Sequence, residues 1–410
     1  MTDKKFYDVR ITSENTKWSN SVGRINSIYQ RPNDIRSDFA RDYTRILHSN
    51  GYRRLKTKTQ VFFATKSDHI CTRIEHVNHV ASVSSTIAKH LGLNEELVSA
   101  IAIGHDVGHA PFGHHGETVL KRLAQENIKE GTFWHEKNSL FFLDNIETLK
   151  DEKGNSKNLN LTYAVRDGII SHCGEVNENA IFPRTENIEL DEIEKANQYQ
   201  PYTWEGCVVK IADKIAYLGR DIEDAMYFRI LNFKHYKELR SIIAKHLNND
   251  NLREINNGIL IHGFIMDLLD NSSPDKGINL SENYLGLMND IKAFNYRVIY
   301  KYWRIEQFKN YATLIIETIF KTLMRYYDLN EFEVRIAISR RNFPSISHFF
   351  EDWLVKYSNI NPEKRKKKKY VNRIIYDVQN KESFAKCCVD FISGMTDSFA
   401  IKCYNEIISF

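Results

Sequence analysis

Apolar residues along this chain recur at three- and four-residue spacing, the period of helices packed on a core. From Asp34 onward, Ile35, Phe39, Tyr43, Ile46 and Leu47 mark a first helix. Ile74, Val77, Ala81, Ile87 and Leu91 mark another, and Gly92 suits its end because glycine closes a helix at low steric cost. Asn94 then reads as an N-cap, with Glu95 and Glu96 in the first turn, where the helix dipole favours acidic groups. The segment Leu97 to Gly104 that follows is apolar on every side and should be buried. Farther on, Val298, Tyr302, Ile305, Phe308, Ala312, Ile315, Ile319 and Leu323 trace one face of a helix of seven turns or more, and Phe384 to Phe410 is helical again. Residues 150–160, 174–206 and 271–281 read as surface loops; the second carries Pro183 and Pro201, and so long a loop is either functional or disordered. Nothing reads as a sheet, so the expected fold class is all-α. Residues 1–22 form a polar, loosely held arm, 23–230 a core, and 231–410 a C-terminal helical region packed on that core.

Composition agrees with this pattern. Glycine (18) and proline (7) are scarce for 410 residues, at about half the combined share of an average protein, as expected of long helices with short connections. Net charge is +4, and Lys364 to Lys369 is an unbroken basic run whose six charges, set aside, leave the remainder at −2. The chain is therefore no polycation, and an anion it handles must be met locally. The run itself reads either as a solvated loop tip or as a contact for nucleic acid or a regulatory nucleotide. The cysteines (6) form no Cys-x-x-Cys pair and are too sparse to staple the fold, which suits reduced thiols and a cytoplasmic protein. No apolar run approaches the roughly 18 residues of a membrane span, and the N-terminus lacks the apolar stretch of a signal peptide.

The chemistry concentrates in histidine. Nine of the 15 histidines fall between His69 and His135. The buried helix runs directly into His105-Asp106-Val107-Gly108-His109-Ala110-Pro111-Phe112-Gly113-His114-His115-Gly116-Glu117. Burying an ionisable His-Asp pair is costly without a partner, and a divalent metal accepts both donor types. His109 lies one turn beyond His105 if the helix continues, and Gly108 and Gly113 let backbone approach a ligand closely. Further ligands are available from two places. Upstream, His76 and His79 share one helix face, and spacing does not choose between them. Downstream, Asp213, Tyr217 and Asp221 lie at four-residue intervals on one face of a helix, flanked by apolar Val209 and Ala212.

The order His76, His105-Asp106, Asp213 resembles the H…HD…D signature of the HD superfamily of metal-dependent phosphohydrolases. Longer matches resemble its deoxynucleoside triphosphate triphosphohydrolase (dGTPase) family: Arg45 to Ser49, Tyr52 to Leu55, Lys58 to Val61, Thr72 to His76, the His105 to Glu117 run, the Asp213 to Asp221 helix, and Ile392 to Asp397. Two letters are a weak motif; the ordered set, spanning residues 34–400, is specific. The resemblance implies that His76, His105, Asp106 and Asp213 bind the metal, with His79 a neighbour. It implies active-site roles for His109 and His114, with Glu117 pairing His114, and places His135 near the phosphates. Arg73 and Lys214 would contact the triphosphate, while Gln60, Tyr217 and Asp221 would hold the deoxyribose.

The implied reaction is hydrolysis of a dNTP to a deoxynucleoside and inorganic tripolyphosphate. One divalent metal per site, Mn²⁺ or Mg²⁺ with Fe²⁺ and Ni²⁺ also compatible, would activate the α-phosphate, and His114 would protonate the departing 5′-oxygen. Family members generally form oligomers, so a homo-oligomer is expected. Ser398 stands where relatives often carry a basic residue. Two other readings fit parts of the pattern: an HD-type nucleotidase or cyclic-nucleotide phosphodiesterase, and a nucleic-acid-binding or nucleotide-sensing protein with a vestigial HD site.

Overall fold

Val77, Val80, Val83, Ile87 and Leu91 are buried along one face of the helix Arg73–Leu91 in the computed structural model of the chain. That model describes residues 4–27, 33–62, 69–173, 178–247, 256–327 and 332–409. The helix starts at a capping box between Thr72 and Glu75 and stops at Gly92, whose φ of 85° is left-handed. Asn94 caps the next helix, Glu95–Gly104, its side-chain oxygen accepting from the N–H groups of Glu96 (3.1 Å) and Leu97 (3.2 Å). The fold is predominantly α-helical, as the apolar period requires.

The chain divides into two compact units, the first made of Met1–Thr44, Ser67–His105 and Leu161–Glu306, the second of Arg45–Lys66, Asp106–Asn160 and Gln307–Phe410. In the first unit, Arg73–Leu91 packs on Glu95–Gly104 and on the long helix Trp204–Tyr227, and Tyr163–Ile170 packs on the latter two. The N-terminal segment is docked rather than loosely held. Phe6 is fully buried against Trp204 and donates its N–H to the Leu91 carbonyl at 2.9 Å, and the Ile11 N–H reaches Glu205 at 3.0 Å. Two apolar anchors in a polar stretch are enough to hold it. The described part of the long loop, from residue 178, is tied by ion pairs to the helices on either side of it, Arg184 to Asp167 at 2.5 Å and Glu178 to Lys210 at 3.0 Å. Residues 174–177 of that expected loop lie outside the described residues.

In the second unit, Gly113–Asn127 packs on Lys381–Ser393, and Pro344–Tyr357 packs on Lys381–Ser393 and Asp397–Ile408. Part of the expected 150–160 loop is instead a short antiparallel hairpin, Thr148–Lys150 with Ser156–Asn158. Its turn is tied by Asp151, which accepts from the N–H groups of Lys153 and Asn155, and turns at Gly154 with φ 77°.

Three helix boundaries depart from the apolar period, two of them where a polar side chain hydrogen-bonds the backbone. Ile35 is 99% exposed, because the Asp34 carboxylate takes the Arg36 N–H and the helix begins only at Asp38. The stripe from Val298 to Leu323 is broken into a π-helical segment, Tyr296–Tyr300, and a helix, Trp303–Met324. The C-terminal stretch is two helices, because Thr396 caps a new one through the Phe399 N–H; Phe410 lies outside the described residues. All six cysteines are buried and unpaired with one another. No described helix is long and apolar enough to cross a membrane.

Candidate metal centre and phosphate-handling residues

Three helices of the first unit bring His76, His105 and Asp213 together. His76 sits in the first turn of Arg73–Leu91, His105 follows the last residue of Glu95–Gly104, and Asp213 lies midway along Trp204–Tyr227. One donor atom from each lies within 4.8 Å of the others. Asp213 Oδ1 is 3.0 Å from His76 Nε2 and 3.8 Å from His105 Nε2. His79 joins no such cluster among the described residues.

The chemistry of this donor set suits a divalent cation. His105 Nδ1 lies 2.6 Å from the Ala102 carbonyl. A carbonyl only accepts, so Nδ1 carries the hydrogen and, in the neutral ring, Nε2 presents its lone pair toward Asp213. Burial opposes charge on Asp213, but the His76 hydrogen bond and the fields of His105 and His172 outweigh it and hold the carboxyl well below the ordinary range. Two imidazoles and a carboxylate are donors that first-row divalent metals and Mg²⁺ accept.

His172 is a neighbour that sequence reading missed. It is buried, edge-on to His105 at 4.9 Å between ring centroids, and its Nδ1 meets the Ile169 carbonyl at 2.6 Å. The signal was available: Ser171-His172 follows the small and apolar Gly168-Ile169-Ile170 that ends the helix Tyr163–Ile170, as His105 follows Ala102-Ile103-Gly104.

The remaining first-unit candidates lie on the same elements. Arg73 is buried in the opening turn of its helix. Lys214 is buried, and burial, with the nearby Lys210 and Lys292, pushes its ammonium down to about 8. Lys210, also missed, is one turn before Lys214 and holds Glu178, Asn197 and Gln200 of the long loop. Tyr217 is half-buried; Asp221 is buried and accepts a hydrogen bond from the Tyr300 hydroxyl. Burial pushes Asp221 up to about 7, against the pull of that hydroxyl.

In the second unit, His109, His114, Glu117 and His135 converge, with donor atoms within 4.8 Å of one another. The helix ends at Gly104, so His109 reaches this group from a turn rather than from the face His105 occupies. Its ring stacks on His135 at 4.1 Å, and its Nε2 is 3.6 Å from Asp106. Glu117 is shared: its carboxylate is 3.4 Å from His114 Nδ1 and 3.1 Å from His135 Nδ1, and it also takes the His135 N–H. Burial disfavours the charged forms of both Glu117 and His135, yet their mutual attraction wins. With Glu136 adding to it, His135 is raised to about 10, and Glu117 is held well below the carboxylate range. His114 itself is exposed.

The loop carrying these histidines is clamped by residues distant in sequence. Asp397 accepts from the Phe112 N–H (3.0 Å) and the Thr59 hydroxyl (2.6 Å). The Lys58 ammonium donates to the His109 and Ser393 carbonyls. The Lys58-Thr59 and Ile392-to-Asp397 motifs thus act as one clamp. Gly108 serves the same packing: a Cβ there would lie 2.1 Å from the Ser139 backbone nitrogen, so the close approach is to the protein's own helix His135–Phe141. Gln60, in the same unit, has its side-chain oxygen buried without a hydrogen-bond partner among the described residues.

The basic run is stitched into the second unit. Lys364 pairs with Glu351 (2.7 Å) and Lys368 with Asp352 (2.6 Å), Lys369 donates to the Lys153 carbonyl, and Arg365 donates to the Lys356 and Asn372 carbonyls.

Comparison with known proteins agrees with this picture. The HD-domain family model matches residues 73–218. The deoxyguanosinetriphosphate triphosphohydrolase-like protein of Caldanaerobacter subterraneus is 32% identical over 376 residues, 91% of this chain and 86% of the relative. That of Clostridium tetani is 32% identical over 400 residues, 97% of this chain and 93% of the relative. That of Rickettsia bellii is 30% identical over 389 residues, 92% and 93% respectively.

Proposed function

We propose that this chain, which belongs to the deoxyguanosinetriphosphate triphosphohydrolase-like family of HD-domain proteins, is a metal-dependent phosphohydrolase cleaving deoxynucleoside triphosphates to deoxynucleoside and inorganic tripolyphosphate. The observation that carries this reading is the cluster of buried His76 and His105 with half-buried Asp213, the His105 tautomer set by the Ala102 carbonyl. His76, His105, Asp106 and Asp213 are the assigned ligands, Asp106 on the family resemblance. Their mixed imidazole and carboxylate donors favour Mn²⁺ or Mg²⁺. When bound, such a cation supplies Lewis acidity toward the scissile phosphoryl group.

The side chains do the rest. Glu117 faces His114 Nδ1, which leaves Nε2 to carry the proton given to the departing 5′-oxygen. His135, raised to about 10 by its carboxylate neighbours after burial is overcome, is a fixed cation for the phosphates. Arg73 and Lys214 neutralise the remaining phosphate charge. Gln60, Tyr217 and Asp221 hydrogen-bond the 3′-hydroxyl, and the Tyr300 contact holds the Asp221 carboxyl in place.

The test is product identification by chromatography after incubation with each dNTP, NTP and dNMP and with single-stranded DNA, in Mg²⁺ or Mn²⁺. Deoxynucleoside plus tripolyphosphate is the expected outcome. Phosphate released from monophosphates alone would sink the reading in favour of a nucleotidase.

A further inference from the structure

The second unit contains a cavity of about 420 Å³ that shares no residue with the proposed ligand, catalytic or substrate set. Its size lies within the range of small-molecule sites. Phe349, Trp353, Tyr357, Tyr370, Phe391 and Phe399 contribute aromatic rings to its lining, and Arg54 and Lys356 contribute cations. Trp353 packs on Phe391 at 5.6 Å and Phe349 on Phe399 at 5.1 Å, edge-on in both pairs, so the rings form a braced wall.

The two lining cations are held differently. Arg54 pairs with Glu147 at 2.7 Å, and Lys368 pairs with Asp352 at 2.6 Å. Among the described residues Lys356 hydrogen-bonds Thr148 Oγ1 at 2.8 Å and lies over the Tyr357 and Tyr370 rings, and the field of Glu147, whose carboxylate is held by Arg54, also acts on it. Arg365, whose charge acts on Lys356, is spent on backbone carbonyls. The charged residues that line the cavity are Arg54, Lys356, Glu147 and Asp352, and both carboxylates are already paired, with Arg54 and Lys368, so among the described residues Lys356 has no ion-pair partner of its own. Burial pushes the Lys356 ammonium down to about 8, a cost that an anion beside it would relieve.

We propose that this cavity is a second binding site, for a small planar aromatic ligand bearing an anionic group, its ring against Trp353 and Phe349 and its anion at Lys356. A nucleoside monophosphate and an aromatic carboxylate share that chemistry. The proposal stands whether or not the catalytic reading does, because its readout is binding.

Calorimetry on the full chain with AMP, adenosine, indole-3-carboxylate, indole and inorganic phosphate tests it. One site per chain is expected for AMP or indole-3-carboxylate, and whichever binds identifies the source. The matching neutral ring, and phosphate alone, should bind at least tenfold more weakly. Lys356→Met should weaken binding tenfold or more. Phe349→Ala, at a half-exposed rim position (52%) where truncation leaves folding intact, should do likewise. The proposal is overturned if neither anion binds at millimolar concentration, if the neutral rings bind equally well, or if both variants bind like wild type.

Discussion

Asp221 is a carboxyl whose proton the fold retains. It is 2% exposed, and burial pushes it up to about 7 despite the Tyr300 hydrogen bond. An unfolded Asp ionises near 3.9. Between roughly pH 4 and 7 the folded chain therefore holds a proton that the unfolded chain has released. Stability from this group is complete below that window and falls as pH rises through it, by up to ~1.4 kcal/mol per pH unit. Asp221→Asn cannot ionise, so its thermal midpoint should gain on wild type steadily from pH 4 to pH 7; parallel curves would contradict the assignment. At the centre itself, His105→Ala and Asp213→Ala should lose both bound metal, measured by atomic emission, and turnover. His114→Ala should keep its metal and lose about 10²–10⁴ in kcat; a wild-type rate would remove His114 as proton donor.

Helix ends matter more here than helix middles. His105 and His172 each stand just past a helix that ends on small and apolar residues, and each gives its Nδ1 hydrogen to a carbonyl three residues back. The helix terminus thereby sets the tautomer that a metal ligand needs. Asn94 holds the start of the helix that delivers His105, so Asn94→Ala should cost about 1 kcal/mol in denaturant unfolding. Gly108→Ala should cost more, about 3 kcal/mol, because the added methyl meets the Ser139 backbone rather than a flexible side chain. Wild-type stability in Gly108→Ala would mean that the turn and the His135–Phe141 helix separate readily. Apolar periodicity forecast most of these helices and missed boundaries where a polar side chain offered the backbone another partner, as Asp34 does to Arg36 and Thr396 to Phe399.

At the scale of the whole molecule, a cation bound by folded His76, His105 and Asp213, and weakly by the unfolded chain, stabilises by about 2.7 kcal/mol at a hundredfold excess over Kd. Chelation should therefore lower the calorimetric midpoint of wild type by several degrees and leave that of Asp213→Ala unmoved; equal shifts in both would place the stabilising ion elsewhere. The sequence by itself determined the helical class, the helix stop at Gly92, the cap at Asn94, and the candidate ligands, because period, capping and donor type are local or ordered along the chain. Spacing left His76 and His79 open and only the family resemblance chose between them; the tertiary structure supplied the physical reason, since the two share a face and His76 is the one that packs opposite Asp213. It decided that Glu117 serves His135 as well as His114, and that Lys58, Thr59 and Asp397 clamp the histidine loop. It also brought His172 beside His105 and gathered six rings and the Lys356 ammonium around one cavity. Those are contacts between residues tens to hundreds of positions apart, made by packing that no local pattern encodes.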